Sequence, residues 1–371
     1  MRCFVFFVAL VLQVATTAAF RPGRVASSRW SLRQAAGSSS SGSLNKPRWA
    51  GEGDVMSQVV NALIGFKPLF SVMKLAARST LIKTAETAGI PWRARAQQLL
   101  ERQGELETLK SKIVGESGLT AYPSYYVKEF HAYEEGNLNW PAAVECESAT
   151  MSMALRVWPT ETLTAEEAQE RLRSSFLKEV RRYLQDVAKL ADPKAILDVG
   201  CSVGVSTFYM AREFRQAQRI LGLDLSPQML AVAQQRQTES SGAWAKDGLE
   251  RVSWKHAAME ASGLKDGEFD LTCASFMFHE LPQKESVDIL REMHRVTRSG
   301  GVVAITDNNP RSPVIQGLPP VLFTLMKSTE PWSDEYYEFD VEAALASVGF
   351  ESVQTVASDP RHRTILALKK K

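Results

Sequence analysis

The first 51 residues contain no aspartate and no glutamate, although the full chain of 371 residues holds 42 acidic side chains. The same stretch has seven basic ones: Arg2, Arg21, Arg24, Arg29, Arg33, Lys46 and Arg48. The formal charge of +2 therefore divides into a leading segment of +7 and a remainder of 37 basic against 42 acidic residues, about −5. A body with no surplus of positive charge excludes the electrostatic footprint of a nucleic-acid binder. Cysteine is scarce too. Only Cys3, Cys146, Cys201 and Cys273 occur, and Cys3 lies in the leading apolar run, so the remainder cannot form a disulfide framework and a reducing compartment is expected. No internal repeat is present. At 44% hydrophobic and 23% charged residues, the composition is neither that of a disordered chain nor that of a multi-span membrane protein.

What is present begins with an address. Met1 and Arg2 precede the apolar run Cys3 to Ala15, followed by Thr16-Thr17-Ala18-Ala19. This is the layout of a secretory signal peptide; a permanent anchor is disfavoured by the run's shortness and by Gln13. From Phe20 to Lys46 the chain is rich in Arg and Ser, including Ser38 to Ser41, which is transit-peptide composition. Signal and transit segments joined at an aromatic resemble the bipartite presequence of plastid proteins in algae with secondary plastids. Residues 1–46 are thus expected to be a disordered presequence directing the protein to a plastid, with secretion as the alternative.

Residues 47–160 read as a helical and aromatic-rich extension. Within 55–90, Val59, Val60, Leu63, Ile64, Phe66, Leu69, Phe70 and Met73 give an apolar side beside Lys67, Lys74 and Arg78. Such a basic amphipathic stretch, 55–78, suits either contact with a membrane surface or packing on its own domain. Residues 93–117 are charged and helical in pattern. Tyr122 to Trp140 is rich in aromatics, suited to a pocket wall, a clamp or core. Thr164 and Glu167 form a capping box that opens a helix toward Leu190. From Ala195 onward, strands and helices alternate. Strands are expected at Ala195–Val199, Arg219–Leu223, Val252–His256, Phe269–Ser275 and Val302–Thr306. Helices fall at Ser206–Phe214, Pro227–Gln237 with Ser226 as N-cap, and Lys284–Val296. This alternation predicts a parallel doubly wound α/β sheet with ligands at the carboxyl ends of its strands.

The first strand runs into Asp198-Val199-Gly200-Cys201-Ser202-Val203-Gly204 and then a helix. Gly200 and Gly204 are spaced G-x-x-x-G, whereas a dinucleotide turn requires G-x-G-x-x-G. Asp224 ends the second strand, where a carboxylate can accept hydrogen bonds from both hydroxyls of a ribose. Asp198 has no basic neighbour in sequence and suits a cationic ammonium or sulfonium better than a diphosphate. Together these residues favour S-adenosyl-L-methionine over NAD or FAD.

Here the sequence resembles the class I S-adenosylmethionine-dependent methyltransferases, in the subfamily shared with quinone-biosynthesis C-methyltransferases. The resemblance covers roughly Ala195 to Ala304 and rests on Asp198 to Gly204, Asp224 with Leu225, Phe269-Asp270-Leu271, and Arg298 to Gly301. Tyr122 to about Pro159, with Asp307 to Glu338, is similar to uncharacterised plastid methyltransferases of plants and algae. The resemblance implies a Rossmann-like sheet of seven strands whose last pair is a reversed hairpin, at Glu351–Val356 and Thr364–Leu368. It also implies a methyltransferase domain at 161–371 with a cap insertion at about 307–338. Carried over, Asp198, Gly200, Cys201 and Gly204 line the methionine moiety, Asp224 the ribose, Leu225 and Met259 the adenine, and Phe276 the transferred methyl. Ser202 stands where the family commonly has glycine. At Ala258 it commonly has Asp or Asn, which leaves the adenine amino group to backbone atoms or to Glu260.

His279 and Glu280 follow the fourth strand, and His279 is the first candidate for a base that takes the acceptor's proton. The aromatic and apolar content of Tyr122 to Trp140 and of Asp307 to Tyr337 points to a small hydrophobic or aromatic acceptor. No metal is expected, and the oligomeric state is left open. Two other functions remain in view: a degenerate methyltransferase fold that binds a partner, and a Rossmann oxidoreductase, which the glycine spacing disfavours.

Overall fold

The structure is a computed structural model that describes residues 78–130, 133–239, 248–318 and 330–371. The expected presequence, the expected amphipathic stretch up to residue 77, His131 and the apolar Val321–Met326 of the expected cap lie outside the described residues.

Strands β1 (Ala195–Val199), β2 (Arg219–Asp224), β3 (Val252–His256), β4 (Phe269–Ser275), β5 (Thr297–Asn308), β6 (Phe350–Ala357) and β7 (His362–Lys369) form one sheet in the order β3-β2-β1-β4-β5-β7-β6. The first five are parallel, and β7 runs antiparallel between β5 and β6. The expected doubly wound sheet with a reversed final hairpin is therefore what forms. The order reverses between β1 and β4, and that switch point opens a crevice at the carboxyl ends of the strands.

Apolar residues alternate between the two faces, as a sheet covered on both sides requires. Ile196, Ile220, Val302, Ala304 and Leu366 join one core cluster; Leu197, Leu221, Val303, Ile305 and Ile365 join the other. The helices are α1 (Trp92–Glu101), α2 (Gln103–Gly115), α3 (Trp140–Leu155), α4 (Ala165–Tyr183), α5 (Val205–Glu213), α6 (Pro227–Glu239), α7 (Gln283–Val296), α8 (Pro313–Gln316), α9 (Ser333–Glu338) and α10 (Val341–Ser347). The capping box expected at Thr164 and Glu167 starts α4, and Asn139 caps α3 by accepting from Ala142 N. Leu106 of α2 and Ala142 and Ala143 of α3 are buried in the same cluster as Phe176 of α4 and Phe208 of α5, so the extension packs directly on the sheet's helical layer.

Three expectations change. The helical stretch 93–117 divides into α1 and α2, with Arg102 between them at φ −104°, ψ 20°, outside the helical region. Strand β5 starts at Thr297 rather than Val302, because Thr297 pairs with Phe269 across a register shift and Arg298 forms an ion pair with Asp270. The regular α-helix from Thr164 stops at Tyr183, and Leu184–Ala188 continues as one π-helical turn.

Candidate active site

The chain turns sharply after β1. Gly200 N and Cys201 N both donate to Leu223 O of β2, tying the loop to its neighbour strand. Gly204 is the N-cap of α5 with φ +78°, and a Cβ there would lie 2.5 Å from the rigid ring of Trp254 on β3. Glycine at 204 is thus demanded twice, by backbone and by space. Ser202 also sits in the left-handed region, at φ +51°, with its N donating to Asp224 Oδ2 at 2.8 Å. Its hydroxyl lies 3.2 Å from Cys146 Sγ and 3.3 Å from Met229 Sδ. A left-handed backbone costs a non-glycine residue about 1–2 kcal/mol, whereas glycine loses about 0.5–1 kcal/mol in chain entropy. Ser202→Gly is therefore expected to stabilise the fold by roughly 0.5–1 kcal/mol, read as a raised denaturant midpoint with unchanged slope. An unchanged or lowered midpoint would contradict the backbone argument.

Asp224 is 7% exposed. Its Oδ1 accepts from Ser226 N at 2.8 Å, and the Tyr126 hydroxyl reaches the same atom at 3.5 Å. Burial raises its pKa, and the backbone donors Ser226 and Ser202 oppose that rise. Asp198 is fully buried on the face covered by α4 and α5, beneath the loop. Its Oδ2 accepts from Ser206 and Thr207 in the first turn of α5 at 2.7 and 2.6 Å. Its Oδ1 has no partner, and burial pushes its pKa up to about 6 against those hydroxyls and the nearby Arg173 guanidinium. The sequence shows no basic neighbour for Asp198; α4 supplies one. Arg173 is 7% exposed, its Nε is without a partner, and its guanidinium lies 5.1 Å from the centre of the Phe276 ring.

Phe276 follows β4 with φ +58°, a conformation that a bulky residue holds only under constraint. Its N donates to Thr306 O at 2.8 Å, and its ring meets the His362 ring edge-on at 5.0 Å. Beyond it, the imidazole of His279 bonds Asp307 through Nδ1 at 2.7 Å, while Asp307 also accepts from His279 N and Asn308 N. Burial lowers the His279 pKa, but the charge and hydrogen bond of Asp307 outweigh it and the pKa is raised. Asp307 is lowered correspondingly, its own burial overcome by the same pairing. His279 therefore holds its proton more tightly than a free imidazole, and it serves as a base only once that proton is given up.

The aromatic segment closes over these strand ends. Tyr125 OH donates to both oxygens of Glu260 at 2.9 and 3.2 Å, Asn137 Nδ2 donates to Glu280 at 3.2 Å, and Ser226 Oγ donates to Asn137 O at 2.7 Å. Glu260, an expected adenine partner, is thus engaged by Tyr125. Leu225 and Met259 are buried beside it, and Cys201 is buried under the loop. The structure therefore brings Asp198, Gly200, Cys201, Gly204, Asp224 and Leu225 together at the β1 and β2 ends. His279, Glu280 and Phe276 gather at the β4 end, and Met259 and Glu260 beyond β3.

Residues 196–301 match the methyltransferase domain family. Among curated relatives, a demethylmenaquinone methyltransferase of Lactiplantibacillus plantarum is 31% identical over 128 residues, covering 34% of this chain and 51% of the relative. An uncharacterized methyltransferase of Synechocystis is 27% identical over 160 residues, 43% of this chain and 68% of the relative. The chain thus spans about half the length of the first of these relatives. A solved phosphoethanolamine N-methyltransferase of Haemonchus contortus, in complex with S-adenosyl-L-methionine, aligns at 17% identity and a TM-score of 0.38 over 53% of each chain.

Arg173 and Asp307 are among the residues of this site that sequence reading overlooked. Arg173 carried a signal: it stands in the buried stripe of α4 with Ala165, Ala168, Gln169, Leu172, Phe176 and Val180. A cation in an apolar stripe needs a partner.

Proposed function

We propose that this chain is an S-adenosyl-L-methionine-dependent methyltransferase that transfers a methyl group in line to a small hydrophobic or aromatic acceptor. The observation that carries this reading is a pair of buried atoms without partners, Asp198 Oδ1 and Arg173 Nε, whose side chains feel each other's charge at the end of β1. An α-amino-acid group carries the two complementary charges, and buried polar atoms without partners are costly enough to need a reason. The residues present fit the cofactor: Arg173 and Asp198 its carboxylate and ammonium, the backbone of Gly200 to Gly204 its flank, Asp224 its ribose, and Leu225 and Met259 its adenine. Bound there, S-adenosylmethionine supplies an electrophilic methyl on a sulfonium. The protein positions the acceptor and excludes water with the Tyr122 to Trp140 segment. His279, oriented through Nδ1 by Asp307, receives the acceptor's proton at Nε2 once it is neutral.

Arg173→Met tests this. S-adenosylhomocysteine should bind 10- to 100-fold more weakly, the value of about 1.5–3 kcal/mol for a charge-assisted hydrogen bond. Methylthioadenosine, which lacks the amino-acid group, should bind Arg173→Met and wild type alike in calorimetry. Equal losses for both ligands, or none, would refute the assignment.

A further inference from the structure

Two more arginines near the site have no anion partner among the described residues. Arg156 follows α3, and its Nε donates to Ser152 O at 3.2 Å. Arg361, in the turn before β7, donates through Nη1 to the backbone oxygen of Arg156 at 3.4 Å, which brings its guanidinium to the Arg156 backbone and within reach of the other cation's charge. No carboxylate forms an ion pair with either among the described residues. The nearest acid to Arg361, Asp359, is occupied by His362 Nδ1 at 2.9 Å and by the backbone N–H groups of Arg361 and His362. Burial and the proximity of Arg361 push the Arg156 pKa down to about 10. Like charges brought together at a half-buried place oppose folding unless something else uses them.

Their place in the fold supplies the use. The turn carrying Arg361 is tied to the end of β5, where Asn309 N donates to Arg361 O at 2.9 Å. His362, the next residue, abuts Phe276 at the end of β4, and Phe276 packs against the buried cluster that includes Val157, one residue beyond Arg156. Tyr337 of α9 lies close enough to Arg361 for each to shift the other's titration. The two arginines therefore rim the carboxyl edge of the sheet beside the strained Phe276 and on the same side as His279 and Asp307.

We infer that the methyl acceptor is an acid, whose carboxylate or phosphate docks on Arg156 and Arg361 while its apolar body lies against Phe276 and Tyr337. This rests on the methyltransferase reading of the site and names the substrate class within it. Planar guanidinium forks match both oxyanions, and two of them fix orientation as well as charge.

The test uses the full chain, with benzoate, phenyl phosphate and neutral benzamide as probes in calorimetry and thermal unfolding, and with S-adenosylhomocysteine binding measured in parallel. At least one of the two acids should bind about tenfold or more tighter than benzamide, and the stronger of them identifies the oxyanion. Arg156→Met and Arg361→Met should erase that preference and leave S-adenosylhomocysteine affinity within about twofold, while Arg156→Lys keeps part of it. Because each methionine variant removes a half-buried cation with no anion partner among the described residues, its melting temperature should not fall. Acids binding no better than benzamide, or an acid preference that survives both substitutions, overturns the proposal. Arginine-dependent acid binding in a protein that ignores S-adenosylhomocysteine would sustain the oxyanion site and sink the methyltransferase reading instead.

Discussion

Asp224→Ala is expected to reduce S-adenosylhomocysteine affinity by about a hundredfold or more. The Asp224 carboxylate holds Ser202 N and Ser226 N at 2.8 Å each, so it braces the glycine turn and the start of α6 at once. Oδ2 keeps a further lone pair for a ribose hydroxyl, and at Oδ1 a second hydroxyl would replace the long 3.5 Å contact of Tyr126. Hydrogen bonds to a charged group contribute about 1.5–3 kcal/mol apiece, so losing two removes at least two orders of magnitude in binding. Asp224→Asn retains one acceptor and should lie between alanine and wild type. An alanine variant that binds as tightly as wild type would remove Asp224 from the adenosine site.

His279→Gln is expected to lower kcat by about 10²- to 10⁴-fold, the span of general base catalysis, with S-adenosylhomocysteine affinity unchanged. The pH dependence carries a sign that a structural role would not reproduce. Asp307 raises the His279 pKa above its ordinary 6.5 despite burial, so the ring gives up its proton only at higher pH than a free imidazole. Turnover should therefore climb with pH as Nε2 becomes free, and that limb should vanish in His279→Gln. Asp307→Asn should shift the limb to lower pH, because the charge that holds the proton is gone. Stability runs the opposite way. The ion pair contributes in full below the unfolded histidine pKa of about 6.5, and its contribution is lost as pH rises through the raised folded value. On the acid side, the depressed Asp307 contributes above the ordinary carboxylate range and loses that contribution as pH falls through its lowered pKa. A variant with wild-type turnover, or a rising limb that persists in His279→Gln, would exclude His279 as the base.

Local chemistry made much of this legible before any coordinates. Strands β1, β3 and β4 fall on the expected residues because their apolar runs are bounded by turn residues on both sides. Ser226 caps α6 through its hydroxyl, which accepts from Met229 N at 3.2 Å, as the Ser-Pro pair at 226 and 227 implies. The glycine turn and Asp224 lie within 25 residues of one another, and the parallel pairing of Asp198 with Gly222 brings them together. What escaped notice depends on contacts across long sequence separations. Asp307 meets His279 only because β4 and β5 are neighbours in the sheet. Tyr125 and Tyr126 reach Glu260 and Asp224 over separations of 135 and 98 residues, which no periodicity encodes. Ser202 was visible as a departure from glycine, but its left-handed backbone was not, since φ at that position is set by the turn around it.

The most direct measurement of the central claim is calorimetric titration of the purified chain with S-adenosylhomocysteine and, separately, with NAD. The account predicts one saturable site for S-adenosylhomocysteine in the micromolar range and no heat from NAD. Absence of S-adenosylhomocysteine binding at tens of micromolar, or saturable binding of NAD in its place, would contradict it.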